Sequence, residues 1–230
     1  MKISWWKILC ILLLSFTLIA GFLSDVPRLA IVNESIRNLY FHVPMWFGMI
    51  IILLISMVMS ILYLSSNDPI HDIYAVESAN TGILFGVLGI VTGMIWAQYT
   101  WGTFWHGDPK QNASAIGLLI YLAYSVLRSS LEDEQQRAKI SAIYNIFAFA
   151  TLVPLLFILP RLTDSMHPGN GGNPGFNSYD LDNRMRMVFY PAVIGWTLIG
   201  WWVTTLRVRT RKIRHLLLEK EHNQGSLEKV

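Results

Sequence analysis

Charged side chains are scarce in this sequence, and this limits the kinds of protein it can encode. They account for 14% of the 230 residues, whereas 53% are hydrophobic, and a soluble domain usually carries about a quarter charged residues. The deficit argues against a soluble enzyme and indicates a protein of the lipid bilayer. The formal net charge of +3 does not indicate nucleic-acid binding, because the basic residues concentrate in the tail that follows the last apolar segment.

Cysteine is nearly absent as well. Cys10 is the single cysteine and lies inside an apolar run, so a disulfide within the chain cannot form. The sequence contains neither the CxxC pattern of a thiol oxidoreductase nor the CxxCH pattern that attaches haem covalently. The chain is therefore not itself a c-type cytochrome.

Six apolar segments approach the length of roughly 17–25 residues that a helix needs to cross a hydrocarbon core. They lie near 5–23, 43–65, 81–98, 113–128, 140–159 and 188–206. We predict an all-α integral membrane protein, a bundle of about six transmembrane helices that forms one domain over 1–230 with a basic cytoplasmic tail at 207–230. A signal peptide is the alternative interpretation of the first segment, since Lys2 and Lys7 precede or begin it.

The distribution of Lys and Arg predicts the orientation. Twelve of the 18 lie on the side of the two termini and 6 lie in the opposite loops, which favours cytoplasmic termini. The segments predicted to face outward are those near 24–42, 99–112 and 160–187.

Apart from Arg128 at the very end of the fourth, the second to sixth segments as drawn contain no Asp, Glu, Lys, Arg or His, whereas an ion-coupled transporter normally places such residues near the midplane. The candidate chemistry therefore lies in the loops. Three of the six histidines fall on the predicted outer face: His42, His106 and His167. Imidazole is a usual axial ligand of haem iron, but spacing alone favours the plainer hypothesis that these are ordinary interfacial residues.

A tryptophan-rich stretch follows the third segment. Trp101 and Trp105 are four residues apart and would share one face of a helix, where two indoles could form a platform for a planar macrocycle. Asp108 precedes Pro109 at a natural helix-capping position. An aromatic belt followed by a capped helix explains the same pattern equally well.

Residues 101–108, WGTFWHGD, resemble the WGxxWxWD pattern of the tryptophan-rich WWD haem-handling family. His42-Val43-Pro44 and His167-Pro168 resemble that family too. A chain of 230 residues with six segments is more similar to its short CcmC-type haem-delivery members than to its longer synthase-type members. Gly107 stands where the family has its last tryptophan, which removes one wall of the platform.

The resemblance implies that His42 and His167 are the axial ligands of the iron of a non-covalently bound b-type haem. The implied haem platform consists of Trp101, Gly102, Phe104, Trp105 and Asp108. The outer-face cations that could meet the propionates by charge-assisted bonds are Arg161, Arg184 and Arg186. His106 is the competing candidate for an axial ligand because it lies inside the motif.

The implied function is to bind haem at the periplasmic face of a bacterial inner membrane and to deliver it to a membrane-tethered haem chaperone during cytochrome c biogenesis. The implied companions are ATP-binding cassette transporter subunits and a small single-span subunit, and no catalysis by this chain is needed. Two alternatives stay open: a synthase-type component that attaches haem to apocytochrome c, and a structural membrane subunit without a ligand.

Overall fold

The computed structural model describes residues 4–27, 32–167 and 181–227, and every regular element within these ranges is helical. In chain order the elements are α1 (Trp5–Leu23), a 3-10 helix (Asn33–Tyr40), α2 (His42–Ser66), α3 (Pro69–Trp101), α4 (Pro109–Ser129), α5 (Glu134–Val153), a π turn (Pro154–Ile158), α6 (Leu159–Leu162) and α7 (Asn183–Leu227). For the described residues, the predicted all-α fold is confirmed.

Five helical segments are long and apolar enough to cross a membrane. They are Trp5–Leu23, Asn33–Ser66, Pro69–Trp101, Glu134–Ile158 and Asn183–Leu217. The predicted fourth segment, 113–128, is also helical within α4, which has 21 residues. Its apolar stretch is shorter, because Asn112 and Arg128 bound it, and it therefore does not reach the length and apolarity of the other five. The chain is a multi-pass membrane protein.

Helix α3 begins 12 residues earlier than the predicted segment 81–98, at Pro69. The side chain of Asp68 accepts a hydrogen bond from the N–H of Ile70 at 2.9 Å and caps the helix. The added turns contain Asp72 and Glu77. A prediction based on apolar runs assigns these charged residues to a loop. Helix formation there is possible because both carboxylates are paired with arginines from other helices.

Helix α2 is packed by three other long helices, α3, α5 and α7. Its buried face contributes Met49 and Leu53 to the main hydrophobic core. On the same helix the hydroxyls of Ser56 and Ser60 accept hydrogen bonds from the side-chain amide of Asn145 on α5, at 2.7 and 2.8 Å. Such buried interhelical hydrogen bonds hold helices together where lipid offers no polar partner.

The C-terminal end of α5 departs from regular helix at Pro154. Proline has no N–H to donate and its ring crowds the carbonyl of the preceding turn, and here the chain widens into the π turn Pro154–Ile158. Single π turns of this kind occur frequently at functional sites. This one places Leu156 and Phe157 in the wall of the cleft described next.

Candidate functional site

An apolar cleft of about 250 Å³ lies at the end of the bundle that the Lys and Arg distribution predicts to face outward. Its walls come from the 3-10 helix, the first turns of α2, the last turns of α3, the start of α4, the π turn and the start of α7. The side chains on which its chemistry depends are His42, Trp46, Trp96, Trp105, Lys110 and His167.

His42 is the first residue of α2 and lies against α3. Its Nδ1 is 2.9 Å from the hydroxyl oxygen of Thr92. The ring also meets the indole of Trp46, one turn further along α2, edge to face with the ring centroids 6.3 Å apart. The imidazole is therefore held by contacts on two helices.

His167 reaches the cleft from the segment that follows α6. Its Nδ1 lies 2.8 Å from Oδ1 of Asp108, whose side chain is only 1% exposed. The N–H of Met166 donates to the other carboxylate oxygen at 2.8 Å, and the hydroxyl of Ser165 donates to it at 3.0 Å. Asp108 thus anchors three successive residues of this segment.

Asp108 keeps its negative charge despite its burial. Burial alone raises its pKa, but the hydrogen bond and charge of His167 and the N–H groups of Met166 and Lys110 lower it further, so the pKa of Asp108 lies well below its usual range. An ionised carboxylate can only accept hydrogen bonds. The Nδ1 of His167 therefore carries a hydrogen and donates it, and when the imidazole is neutral its Nε2 keeps the lone pair.

The cleft distinguishes among the three outer-face histidines. His42 and His167 both line it, from widely separated parts of the chain. His106 does not line it; its ring centroid is 6.4 Å from that of Trp101, and its N–H donates to the side-chain oxygen of Gln111 at 3.1 Å. The structure thus brings together the two histidines that the motif comparison pairs and leaves the third outside.

The family described as Heme exporter protein C matches residues 1–224 of this sequence. The chain belongs to this family. The match includes every residue that lines the cleft, so the cleft is part of the region shared with the family.

Individual relatives agree with this assignment. The Heme exporter protein C of Paracoccus denitrificans is 29% identical over 185 residues, which cover 78% of this chain and 73% of that protein. The Heme exporter protein C of Escherichia coli K12 is 22% identical over 222 residues, 95% of this chain and 85% of that protein. A ccmC-like mitochondrial protein of cytochrome c biosynthesis from Marchantia polymorpha is 33% identical over 90 residues, 39% of this chain and 40% of that protein.

The predicted tryptophan platform needs correction in this member of the family. Helix α3 ends at Trp101, because Gly102 adopts a positive φ of 82° as its cap, so Trp101 and Trp105 do not share a helical face. Only Trp105, of the five predicted platform residues, lines the cleft. Phe104 is exposed at the surface, and Asp108 lies behind His167.

Trp101 has a different position from the one predicted. Its ring packs edge-on against the imidazole of His167, with the centroids 4.9 Å apart, and against Trp96 at 5.1 Å. Trp101 therefore supports His167 from outside the cleft. It restricts the rotation of the imidazole and contributes no wall.

Two tryptophans of the cleft were not among the predicted site residues. Trp46 lies one turn after His42 on α2, and Trp96 lies near the end of α3, where its indole N–H donates to the carbonyl of Ser35 at 3.2 Å. The spacing of four residues between His42 and Trp46 was the available signal for the first, since such residues share a helical face.

The propionate contacts of Arg161, Arg184 and Arg186 stay predictions. Arg184 and Arg186 lie at the start of α7 but do not line the cleft, and Arg186 donates to the side-chain oxygen of Asn183 at 3.4 Å. The side chain of Arg161 falls outside the described residues. Among the described residues, Lys110 in the first turn of α4 is the basic side chain in the cleft lining.

Proposed function

We propose that this protein binds haem in the cleft, with His42 and His167 as axial ligands of the iron, and delivers it during cytochrome c maturation. One observation carries the proposal: two imidazoles from distant parts of the chain line the same apolar cleft. Each has its Nδ1 close to a protein oxygen. The Nε2 atoms are therefore the ring nitrogens left for iron, and imidazole is a common axial ligand of haem.

The remaining lining suits the rest of a haem molecule. Trp46, Trp96 and Trp105 offer broad apolar surfaces to the macrocycle. Among the described residues, Lys110 is the basic side chain in the cleft lining, and its ammonium group can donate a charge-assisted hydrogen bond to a propionate. Haem is the cargo in this proposal, held by axial and apolar contacts that can be reversed.

Because these contacts with haem are reversible, they favour delivery of haem over its covalent attachment by this chain. Relatives of this chain carry the name Heme exporter protein C, which supports a transport role. With cytoplasmic termini, the cleft opens on the periplasmic side of a bacterial inner membrane. The acceptor is then a membrane-tethered haem chaperone, and the companions are ATP-binding cassette transporter subunits and a small single-span subunit.

The test compares three single variants of the detergent-purified protein: His42→Ala, His167→Ala and His106→Ala. We expect the first two to lose the six-coordinate low-spin haem spectrum and to regain it when free imidazole is added. His106→Ala is the matched control and keeps the parent spectrum. A parent spectrum from His42→Ala or His167→Ala without imidazole would contradict the pairing.

A second measurement addresses the acceptor. Haem-loaded protein is mixed with a membrane-tethered haem chaperone or with an apocytochrome that carries a CxxCH motif, and the haem bound to each acceptor is followed with time. Delivery predicts transfer to the chaperone alone. Direct appearance of covalent haem on the apocytochrome would support the synthase-type alternative.

A further inference from the structure

The hydrogen bond between Thr92 and His42 defines which ring nitrogen of His42 carries the hydrogen. The hydroxyl oxygen of Thr92 lies 2.8 Å from the carbonyl oxygen of Leu88 and 3.2 Å from that of Gly89, in its own helix. A carbonyl can only accept, and a hydroxyl has one hydrogen to donate. When that hydrogen goes to the carbonyl of Leu88, the nearer of the two, the Thr92 oxygen accepts from Nδ1–H of His42, and Nε2 of the neutral ring keeps its lone pair.

The residue after Thr92 sets where the ring lies. A Cβ atom at Gly93 would be 2.9 Å from Cε1 of His42, closer than side-chain carbons normally approach, and 3.5 Å from its Nε2, an ordinary contact distance. The absence of a side chain at Gly93 therefore lets the imidazole rest on the backbone of α3. Trp46 contacts the ring edge to face, so the ring has little freedom to turn.

We propose that Thr92 is a positioning residue for haem: it accepts the Nδ1 hydrogen of His42, and together with Gly93 it holds the Nε2 lone pair in place for the iron. This inference rests on the proposed function, because it requires His42 to be an axial ligand. Thr92 itself does not line the cleft. It acts through His42, as hydrogen-bonded partners behind metal-binding histidines do elsewhere.

The test replaces the hydroxyl with a methyl group of the same shape. Thr92→Val leaves Nδ1–H of His42 without an acceptor, and we expect the equilibrium constant for His42 binding to the iron to fall about tenfold. Absorption and electron paramagnetic resonance spectra of the haem-loaded protein should then show a larger five-coordinate, high-spin fraction. Added imidazole should convert that fraction back to six-coordinate haem.

Three further variants keep the test specific. Thr92→Ser retains a hydroxyl and should have the parent spectrum. Thr151→Val is the matched control, because Thr151 also donates to a carbonyl of its own helix, that of Phe147 at 2.9 Å, and its helix α5 carries no histidine. It should behave as the parent does. Gly93→Ala places a methyl group against His42 and should reproduce the Thr92→Val spectrum by displacing the ring.

The outcomes separate this inference from the proposed function. If His42→Ala loses six-coordinate haem while Thr92→Val keeps it, the positioning role of Thr92 is wrong and the ligand assignment stands. If Thr92→Ser is as impaired as Thr92→Val, the hydroxyl is not the cause and the inference is also overturned. If His42→Ala itself keeps the parent spectrum, the proposed function fails. Should Thr92→Val not fold, Gly93→Ala and Thr92→Ser decide the question.

Discussion

Glu77 and Asp108 are both buried carboxylates, with side chains 5% and 1% exposed. Glu77 lies near the start of α3, and Asp108 caps α4, beyond the other end of α3. Glu77 accepts hydrogen bonds from the guanidinium groups of Arg207 and Arg211, at 2.7 and 2.6 Å. Asp108 has no guanidinium partner among the described residues. It is held by the imidazole of His167, by a serine hydroxyl and by two backbone N–H groups.

The two carboxylates have different partners and stabilise different parts of the structure. Arginine keeps its charge at any physiological pH, so the ion pairs of Glu77 connect α7 to α3 throughout that range. Backbone N–H groups stabilise the charge of Asp108 without occupying it with a cation, so its Oδ1 accepts from His167 as well as from the N–H of Lys110. One buried carboxylate thus serves helix packing, and the other orients a histidine of the cleft.

The largest effect on stability is expected from Glu77→Ala. Two guanidinium groups would lose their shared partner, and breaking a buried pair is strongly destabilising. Both arginines are more than one-third exposed, so solvent screening reduces the loss in the free energy of unfolding to about 2 kcal/mol. Thermal unfolding in detergent measures it.

The control for that variant is Glu134→Ala. Glu134 pairs with Arg137 at 3.2 Å on the exposed surface, where an ion pair contributes less than about 1 kcal/mol. Haem content per folded molecule should equal the parent value in both variants. An equal loss of stability from the two variants would contradict the role assigned to Glu77.

Asp108→Ala should have the opposite profile, with a larger effect on haem than on stability. Without the carboxylate, His167 loses the acceptor of its Nδ1 hydrogen, and we expect haem affinity to fall at least about tenfold. Loss of the cap of α4 lowers the free energy of unfolding by about 1 kcal/mol. Haem titration and thermal unfolding separate the two effects.

Asp133→Ala provides the matched control for the cap. Asp133 caps α5 by accepting from the N–H of Gln136 at 2.7 Å, far from any histidine of the cleft. It should cost a similar free energy of unfolding and leave haem affinity unchanged. If it weakens haem as much as Asp108→Ala does, the effect of Asp108 arises from helix capping alone.

The two histidines should also differ from each other. His167 contacts a carboxylate, a partner that strengthens a histidine as a metal ligand, whereas His42 contacts a neutral hydroxyl. We expect His42→Ala to retain several-fold more haem through purification than His167→Ala. The pyridine haemochrome assay gives the haem-to-protein ratio, and greater retention in His167→Ala would reverse the assigned order.

The smallest effect is expected from Trp105→Ala, which removes apolar contact without touching a charge. Trp105 is 40% exposed, so only part of the indole can cover a macrocycle and the loss of haem binding should be about 1 kcal/mol. Phe104→Ala is the control, because the ring of Phe104 is next to Trp105 in sequence but lies outside the cleft. Equal haem affinities in the two variants would remove Trp105 from the site.

Local sequence determined several features of this protein. The apolar runs predict helices because a bilayer leaves the backbone no partner but itself. Asp108 before Pro109 predicts the cap of α4, because capping depends on adjacent residues. The prediction is confirmed: the N–H of Lys110 donates to Asp108 at 2.8 Å. His42 and His167 were selected by short motifs, and their roles as haem ligands remain predictions.

Other features depended on partners far along the chain. Asp68 before Pro69 is a local capping signal for the start of α3, but the pairing of Asp72 with Arg128 and of Glu77 with two arginines of α7 has no local pattern that indicates it. The platform prediction required a continuous helix through Trp105, but one left-handed residue, Gly102, ends it. The cleft and the hydrogen bonds that orient its two histidines are tertiary properties, because each is made by residues from at least two helices or loops whose contact depends on the packing of the whole bundle.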